Sequence, residues 1–226
     1  MPDSLQLAKA IDHSVLKPEA SRADVLDGAR LVREWLIGYY CVQPIWVREA
    51  VAALDGGAAR VVSVIGFPHG CERTLVKVEA ARIAVGEGAA ELDMVINLGG
   101  LMSGDVGLVT ADIAAVVVAA QGTPVKVILE TAALDDERKR LACRLCIEAG
   151  AAFVKTSTGF HAAGGATTDD VRLLRLEVGS SAGVKASGGI RTLADAQAMI
   201  AAGANRVGTS ASAAILAAAH GGPPLR

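Results

Sequence analysis

Large rings are nearly missing from this chain: two Trp, two Tyr and three Phe make up only 3% of its 226 residues. The core must therefore be packed by aliphatic side chains. Apolar residues reach 52% and glycines number 25, a composition that suits helices laid closely against a sheet. The same scarcity removes stacking platforms for bases. No stripe of Lys and Arg interleaved with aromatics occurs, and the formal charge is −2 with a pI near 6.1, so nucleic acid is excluded as a partner. No apolar run approaches the roughly 18 residues that span a bilayer, and Met1-Pro2-Asp3-Ser4-Leu5 lacks the basic start of a secretion signal. No membrane partner is expected, and the expected compartment is the cytoplasm.

Cysteine is also sparse, at Cys41, Cys71, Cys143 and Cys146. A chain this long needs no covalent staples, so reduced thiols are expected. Cys143-Arg144-Leu145-Cys146 has the spacing of redox and zinc motifs, but it falls in a predicted helix without a second pair, so it reads as helix packing. His13, His69, His161 and His220 are too scattered for a metal cluster. Gly86-Glu87-Gly88 approaches a dinucleotide fingerprint, yet it lacks the third glycine and precedes a strand instead of following one.

What is present is alternation. Short β-rich runs centre on Ala10-Ile11-Asp12, Tyr39 to Val42, Val61 to Ile65, Leu92 to Ile96, Val125 to Leu129, Phe153 to Lys155, Val184 to Ala186 and Arg206 to Gly208, with helical stretches between them. Eight such units predict a parallel sheet covered by helices, a (β/α)₈ TIM barrel forming a single domain over residues 1–226. Gly-Ala pairs at 57, 88, 150 and 203 lie 31, 62 and 53 residues apart, about one, two and two βα units, where a helix must end and turn back into the sheet. Ser21 begins a helix-capping pattern with Asp24.

Three lysines stand inside these strands, Lys126, Lys155 and Lys185. An ammonium taken out of water must be paired, lose its proton or face a polar pocket. Asp12, Asp93 and Glu130 occupy strand positions or strand ends and match the lysines in number. Alternation puts Lys126, Ile128 and Glu130 on one face, and Glu91, Asp93, Val95 and Asn97 on another. If all six charged groups face inward, the cluster is near neutral. The strands carrying Lys155, Lys185 and Gly208 run into small polar loops, Thr156-Ser157-Thr158-Gly159, Ser187-Gly188-Gly189 and Thr209-Ser210. Glycine allows close backbone approach and amides at a helix start bind anions, so these loops read as a phosphate cradle. Ordinary βα turns are the other reading of that pattern.

Seven ordered motifs then resemble the deoxyribose-phosphate aldolase family. They are Asp12 to Pro18, Cys41 to Pro44, Val64 to Gly70, Glu91 to Asn97, Lys126 to Thr131, Phe153 to Phe160 and Val184 to Arg191, and the match runs from about residue 10 to 212. The resemblance implies a class I aldolase that needs no metal and no organic cofactor. It would reversibly cleave 2-deoxy-D-ribose 5-phosphate to acetaldehyde and D-glyceraldehyde 3-phosphate in deoxyribose phosphate breakdown. It assigns Lys155 as the imine-forming lysine, and Asp93 and Lys185 as proton donors and acceptors. Thr158, Gly159, Ser187, Gly188, Gly189, Gly208 and Ser210 would hold the substrate and its phosphate, with Asp12, Cys41, Lys126 and Glu130 in support. Sugar phosphate and aldehyde are the implied partners, in a homo-oligomer that is a dimer or tetramer. The chemistry agrees: a lysine of ordinary pKa near 10.4 is unprotonated in only about one molecule in 2,500 at pH 7, and lowering that pKa to about 7 takes roughly 4.6 kcal/mol. Burial and the like charge of Lys185 act in that direction.

The chain departs from the family at Ser14, where threonine is commoner, at Gln43, where asparagine is, and at Ala211, where some members have a second serine. It also lacks the terminal tyrosine of some members. A Schiff-base aldolase acting on a keto acid or longer sugar phosphate, and a sugar-phosphate-binding barrel without chemistry, are the alternatives that the sequence leaves open.

Overall fold

Each β-rich run is too short to bury itself alone, and the ring solves this by giving every strand two neighbours. The computed structural model describes residues 3–222. Among them the elements run α1 (Ser4–Ala10), β1 (Ile11–Val15), α2 (Arg22–Glu34), β2 (Tyr39–Val42), α3 (Val47–Leu54), β3 (Arg60–Ile65), α4 (Thr74–Gly86), β4 (Glu91–Val95), α5 (Leu98–Met102), α6 (Val106–Ala119), β5 (Val125–Ile128), α7 (Asp136–Glu148), β6 (Phe153–Lys155), α8 (Thr168–Val178), β7 (Gly183–Ser187), α9 (Leu193–Ala201), β8 (Arg206–Thr209) and α10 (Ser212–His220). Consecutive strands pair in parallel, and β8 returns to β1 with Ile11 opposite Val207 and Asp12 opposite Gly208. This is the eight-stranded TIM barrel that the sequence pattern predicts. Among the described residues no helix is long and apolar enough to cross a membrane. Met1 and Pro2, and residues 223–226 where the terminal tyrosine would stand, lie outside the described residues.

The first strand begins later than its sequence suggests. Ala10 is the last residue of α1, because the amide of Ile11 still donates to the carbonyls of Leu7 and Ala8. Ladder pairing starts only at Ile11. Elsewhere local signals hold. Ser21 and Asp24 form a reciprocal capping box at the start of α2, satisfying amides that would otherwise be orphaned. Gly88, Gly150 and Gly203 take φ of 101°, 83° and 114° at the helix-to-strand turns, while after α3 the reversal is made by Asp55 and Gly56, just before Gly57.

The core lies between the outer face of the sheet and the helices. Val61, Leu92, Val127, Val154 and Val184 point outward into it, and α7 contributes Ala142, Cys143 and Cys146. Each fully buried aliphatic side chain of this kind stabilises the fold by about 1.5–3 kcal/mol. Cys143 and Cys146 are free thiols in that layer, as expected of helix packing. A buried ion pair also joins α4 to α6: Lys77 donates to Asp112 at 2.6 Å and to the Val95 carbonyl at 3.2 Å. It ties the outer helices to the upper end of β4.

Candidate active site

The inner face of the barrel carries charge. Asp93 on β4 lies opposite Lys126 on β5, while Lys155 on β6 and Lys185 on β7 are paired with each other one layer higher. The Asp93 carboxylate reaches all three lysines: Oδ1 lies 2.9 Å from Lys126 Nζ, and Oδ2 lies 2.7 Å from both Lys155 Nζ and Lys185 Nζ. Lys185 also donates to Asp12 on β1. That contact passes over Gly208, where an added Cβ would sit 3.1 Å from Lys185 Cε and 2.9 Å from Ser187 Cβ. Only glycine gives the lysine arm its course to Asp12.

The third carboxylate of the cluster is Glu91, not Glu130. Glu91 Oε2 lies 2.5 Å from Lys126 Nζ, close enough for an ion pair but without hydrogen-bond geometry. Glu130 lies beyond the end of β5 with φ of 57°, so strand alternation has already ceased there and its side chain turns into the next loop. Its oxygens accept from the Thr158 amide at 3.2 and 3.4 Å and from the Thr158 hydroxyl at 2.6 Å. The Thr158 hydroxyl in turn accepts from the Phe160 amide at 3.0 Å. Glu130 therefore shapes the loop after β6 instead of neutralising a lysine.

All six members of the cluster, Asp12, Glu91, Asp93, Lys126, Lys155 and Lys185, are at most 3% exposed. Burial pushes the Asp93 carboxyl up, but the ammonium groups of Lys126, Lys155 and Lys185 outweigh it and hold the group well below the usual carboxylate range. Burial likewise opposes charge on Lys126 and Lys185. Asp93 foremost for Lys126, and Asp12 then Asp93 for Lys185, reverse that effect and keep both ammoniums above the ordinary lysine range. Both are thus ammonium groups at neutral pH. Lys155 and Lys185 both reach the cavity above, and they differ in their acids: Lys155 pairs with Asp93 at 2.7 Å, whereas Lys185 pairs with Asp93 and Asp12.

A cavity of about 760 Å³ opens over the cluster. Of the sequence-selected residues, Asp12, Cys41, Lys155, Thr158, Gly159, Lys185, Ser187, Gly188, Gly189, Gly208 and Ser210 line it, whereas Asp93, Lys126 and Glu130 lie behind the lining. Gly159, Gly188 and Gly189 have φ of 84°, 88° and 81°, a region open to glycine at no steric cost. The loops are mutually braced: Thr156 and Ser187 exchange hydrogen bonds at 3.1 and 3.0 Å, and the Ser187 hydroxyl donates to the Ser157 carbonyl at 2.6 Å. At α10 the cap residue Ala211 makes no side-chain bond to the first-turn amides. Cys41 is a wall. Burial, then the charges of Asp12 and Asp93, push its thiol up to about 12, so it is protonated at neutral pH and a poor nucleophile.

Two cationic lining residues, Lys17 and Arg191, escaped selection from the sequence although both sit within or beside motifs already singled out. The cavity ends at the lysines. Below them the amino ends of the strands are closed by Arg206, whose guanidinium carbon lies 4.1 Å from the Tyr39 ring and 5.5 Å from the Phe153 ring. Among the described residues no group of three or more His, Cys, Asp or Glu side chains is placed to hold a metal ion.

A model of the DeoC/LacD family aldolases matches residues 7–218. The deoxyribose-phosphate aldolase of Bacillus cereus (strain AH187) is 49% identical over 213 residues, 94% of this chain and 95% of the relative. Among solved structures, an aldolase named QR15 superposes with a TM-score of 0.89 at 40% identity, over 93% of this chain and 94% of the other. The deoxyribose phosphate aldolase of Aeropyrum pernix, described as tetrameric, gives 0.88 at 34% identity over 95% and 91%.

Proposed function

This chain belongs to the DeoC/LacD aldolase family, and from that premise we propose that it reversibly cleaves 2-deoxy-D-ribose 5-phosphate to acetaldehyde and D-glyceraldehyde 3-phosphate through an imine on Lys155. One observation carries the reading: Lys155 and Lys185 share Asp93 Oδ2, each at 2.7 Å, at the bottom of the cavity. A nucleophilic amine, an ammonium that can hand on a proton and a carboxylate that accepts one are the parts that imine chemistry requires.

Lys155 first gives one ammonium proton to Asp93, and its amine attacks the C1 aldehyde of the open-chain sugar. After attack a second nitrogen proton moves to the developing hydroxyl, and the proton returned through Asp93 and Lys185 carries that hydroxyl off as water, leaving one hydrogen on the nitrogen. The protonated imine then draws in the electron pair of the C2–C3 bond as the C3 hydroxyl gives up its proton. The phosphorylated aldehyde departs with C3 to C5, leaving a two-carbon enamine. Protonation of C2 and hydrolysis release acetaldehyde and restore Lys155. The phosphate is held at the rim by the amides around Gly159, Gly188 and Gly189, by the first turn of α10 and by Ser210, as expected of anions at glycine loops and helix starts.

The wider reading is of a single-domain cytoplasmic enzyme of deoxyribose phosphate catabolism that works as a homo-oligomer. The tetramer described for the Aeropyrum pernix relative supports assembly, and sedimentation analysis distinguishes dimer from tetramer. The function is tested by borohydride reduction with acetaldehyde, followed by peptide mass mapping. An ethyl adduct on Lys155 that is lost in Lys155→Ala is the expected result; a folded protein that forms no adduct overturns it.

A further inference from the structure

Glu91 lies two residues nearer the barrel floor than Asp93, is 3% exposed and does not line the cavity. It has no route to substrate. Its contact is with Lys126, whose ammonium lies between Glu91 Oε2 at 2.5 Å and Asp93 Oδ1 at 2.9 Å. Without Glu91 the whole charge of Lys126 would fall on Asp93. With it, Asp93 Oδ2 is left to Lys155 and Lys185.

Charge within the barrel comes from β1 (Asp12), β4 (Glu91 and Asp93), β5 (Lys126), β6 (Lys155) and β7 (Lys185). The thiol of Cys41 on β2 is neutral. Arg206 of β8 stacks at the partly exposed floor. Three carboxylates thus balance three lysines only while the Lys155 nitrogen is a cation. Imine formation converts R–NH₃⁺ and an aldehyde to R–NH⁺=CHR′ and water: one C=N bond forms, the C=O bond breaks, and the charge on nitrogen is unchanged. An unbalanced buried charge is costly, so a site balanced for the cation favours both ends of that conversion over the free amine between them.

We propose that Glu91 is a positioning residue which, acting through Lys126, balances the buried cluster around a cation at the Lys155 nitrogen, so that ammonium and iminium are accommodated alike. The inference rests on the reading of Lys155 as the imine-forming residue. It makes a prediction of sign that a merely structural glutamate would not. Removing one negative charge eases deprotonation of Lys155, and removing one positive charge hinders it.

The test is the pH dependence of acetaldehyde trapping by cyanoborohydride in Glu91→Gln, Lys126→Gln and the double variant, each shown to be folded by thermal unfolding. The half-point of the acidic limb moves down by about one to two pH units in Glu91→Gln and up by a comparable amount in Lys126→Gln. In the double variant it returns to within about half a unit of the parent. If Glu91→Gln does not fold, Lys126→Gln and the double variant still read the balance. Half-points that stay fixed, shifts of the same sign in both single variants, or a double variant that remains displaced overturn the inference. Absence of any adduct in the parent protein overturns the imine reading itself.

Discussion

Lys155 and Lys185, register partners on β6 and β7, bond to the same carboxylate oxygen, Asp93 Oδ2, at the same distance of 2.7 Å. Their difference lies in their other partners: Lys185 has Asp12 as well, and Lys155 has no second acid. The doubly held lysine is suited to remain an ammonium, and the singly held one to turn to the substrate. Lys185→Met should therefore lower kcat by about 10²- to 10⁴-fold, the range for loss of a proton-transfer group, while Lys155 is still slowly trapped with acetaldehyde. A variant with near-parental kcat would remove Lys185 from the mechanism.

Glu130 acts on the phosphate end. Glu130→Ala leaves the Thr158 amide and hydroxyl without their acceptor, a cost of about 1–3 kcal/mol borne by the loop that carries Gly159. The KM for 2-deoxyribose 5-phosphate should rise about tenfold, equivalent to roughly 1.4 kcal/mol. Turnover of unphosphorylated 2-deoxyribose should change little. Equal losses on both substrates in steady-state kinetics would show that Glu130 is not specific to the phosphate loop.

Gly208→Ala tests the course of the Lys185 arm. The new methyl would meet Lys185 Cε and Ser187 Cβ, and overpacking of this kind costs about 1–3 kcal/mol. Because the displaced atoms lead to the reacting centre, kcat/KM should fall about 10²-fold, well beyond the modest drop in Tm. Unchanged kinetics would mean that the arm has slack absent from this geometry.

Acid should weaken the fold through His13. Its ring accepts or donates at 3.0 Å with Ser212 Oγ and stacks on Tyr40. Burial lowers its pKa to about 4, with Asp12 only partly opposing. The unfolded chain takes up the proton near pH 6.5 and the folded one near 4. Stability is therefore full above about 6.5 and declines as pH falls toward 4, by about 2 kcal/mol at pH 5. Urea unfolding at pH 7.5 and 5.0 should show this decline, reduced by that amount in His13→Gln. An identical decline in the variant would assign acid sensitivity to other groups.

Much of the barrel was legible because its signals are local. Valine-rich runs mark strands, Gly88, Gly150 and Gly203 mark reversals, and a lysine among Val125, Val127 and Ile128 is conspicuous where apolar residues belong. Sequence and structure part where a local rule does not hold past the end of its element. Strand alternation carried two residues past Ile128 places Glu130 on the inner face, across a left-handed turn that a non-glycine sequence does not announce. Ala10 resembles strand because the end of α1 abuts β1 without a loop. Glu91 had the right face but stood at the mouth of a Gly-Ala turn, where an acid resembles solvated surface. Its pairing with Lys126 depends on barrel closure.

The contact between Asp12 and Lys185 spans 173 residues and crosses the seam where β8 meets β1. A chain emerging from the ribosome holds Asp12 from the outset, yet no partner for it exists until β7 is made and β8 has locked into place. Long-range closure of this kind comes late in folding. The reactive amine consequently stays uncalibrated through most of synthesis, and ability to capture an aldehyde doubles as a report that the last strand has found the first.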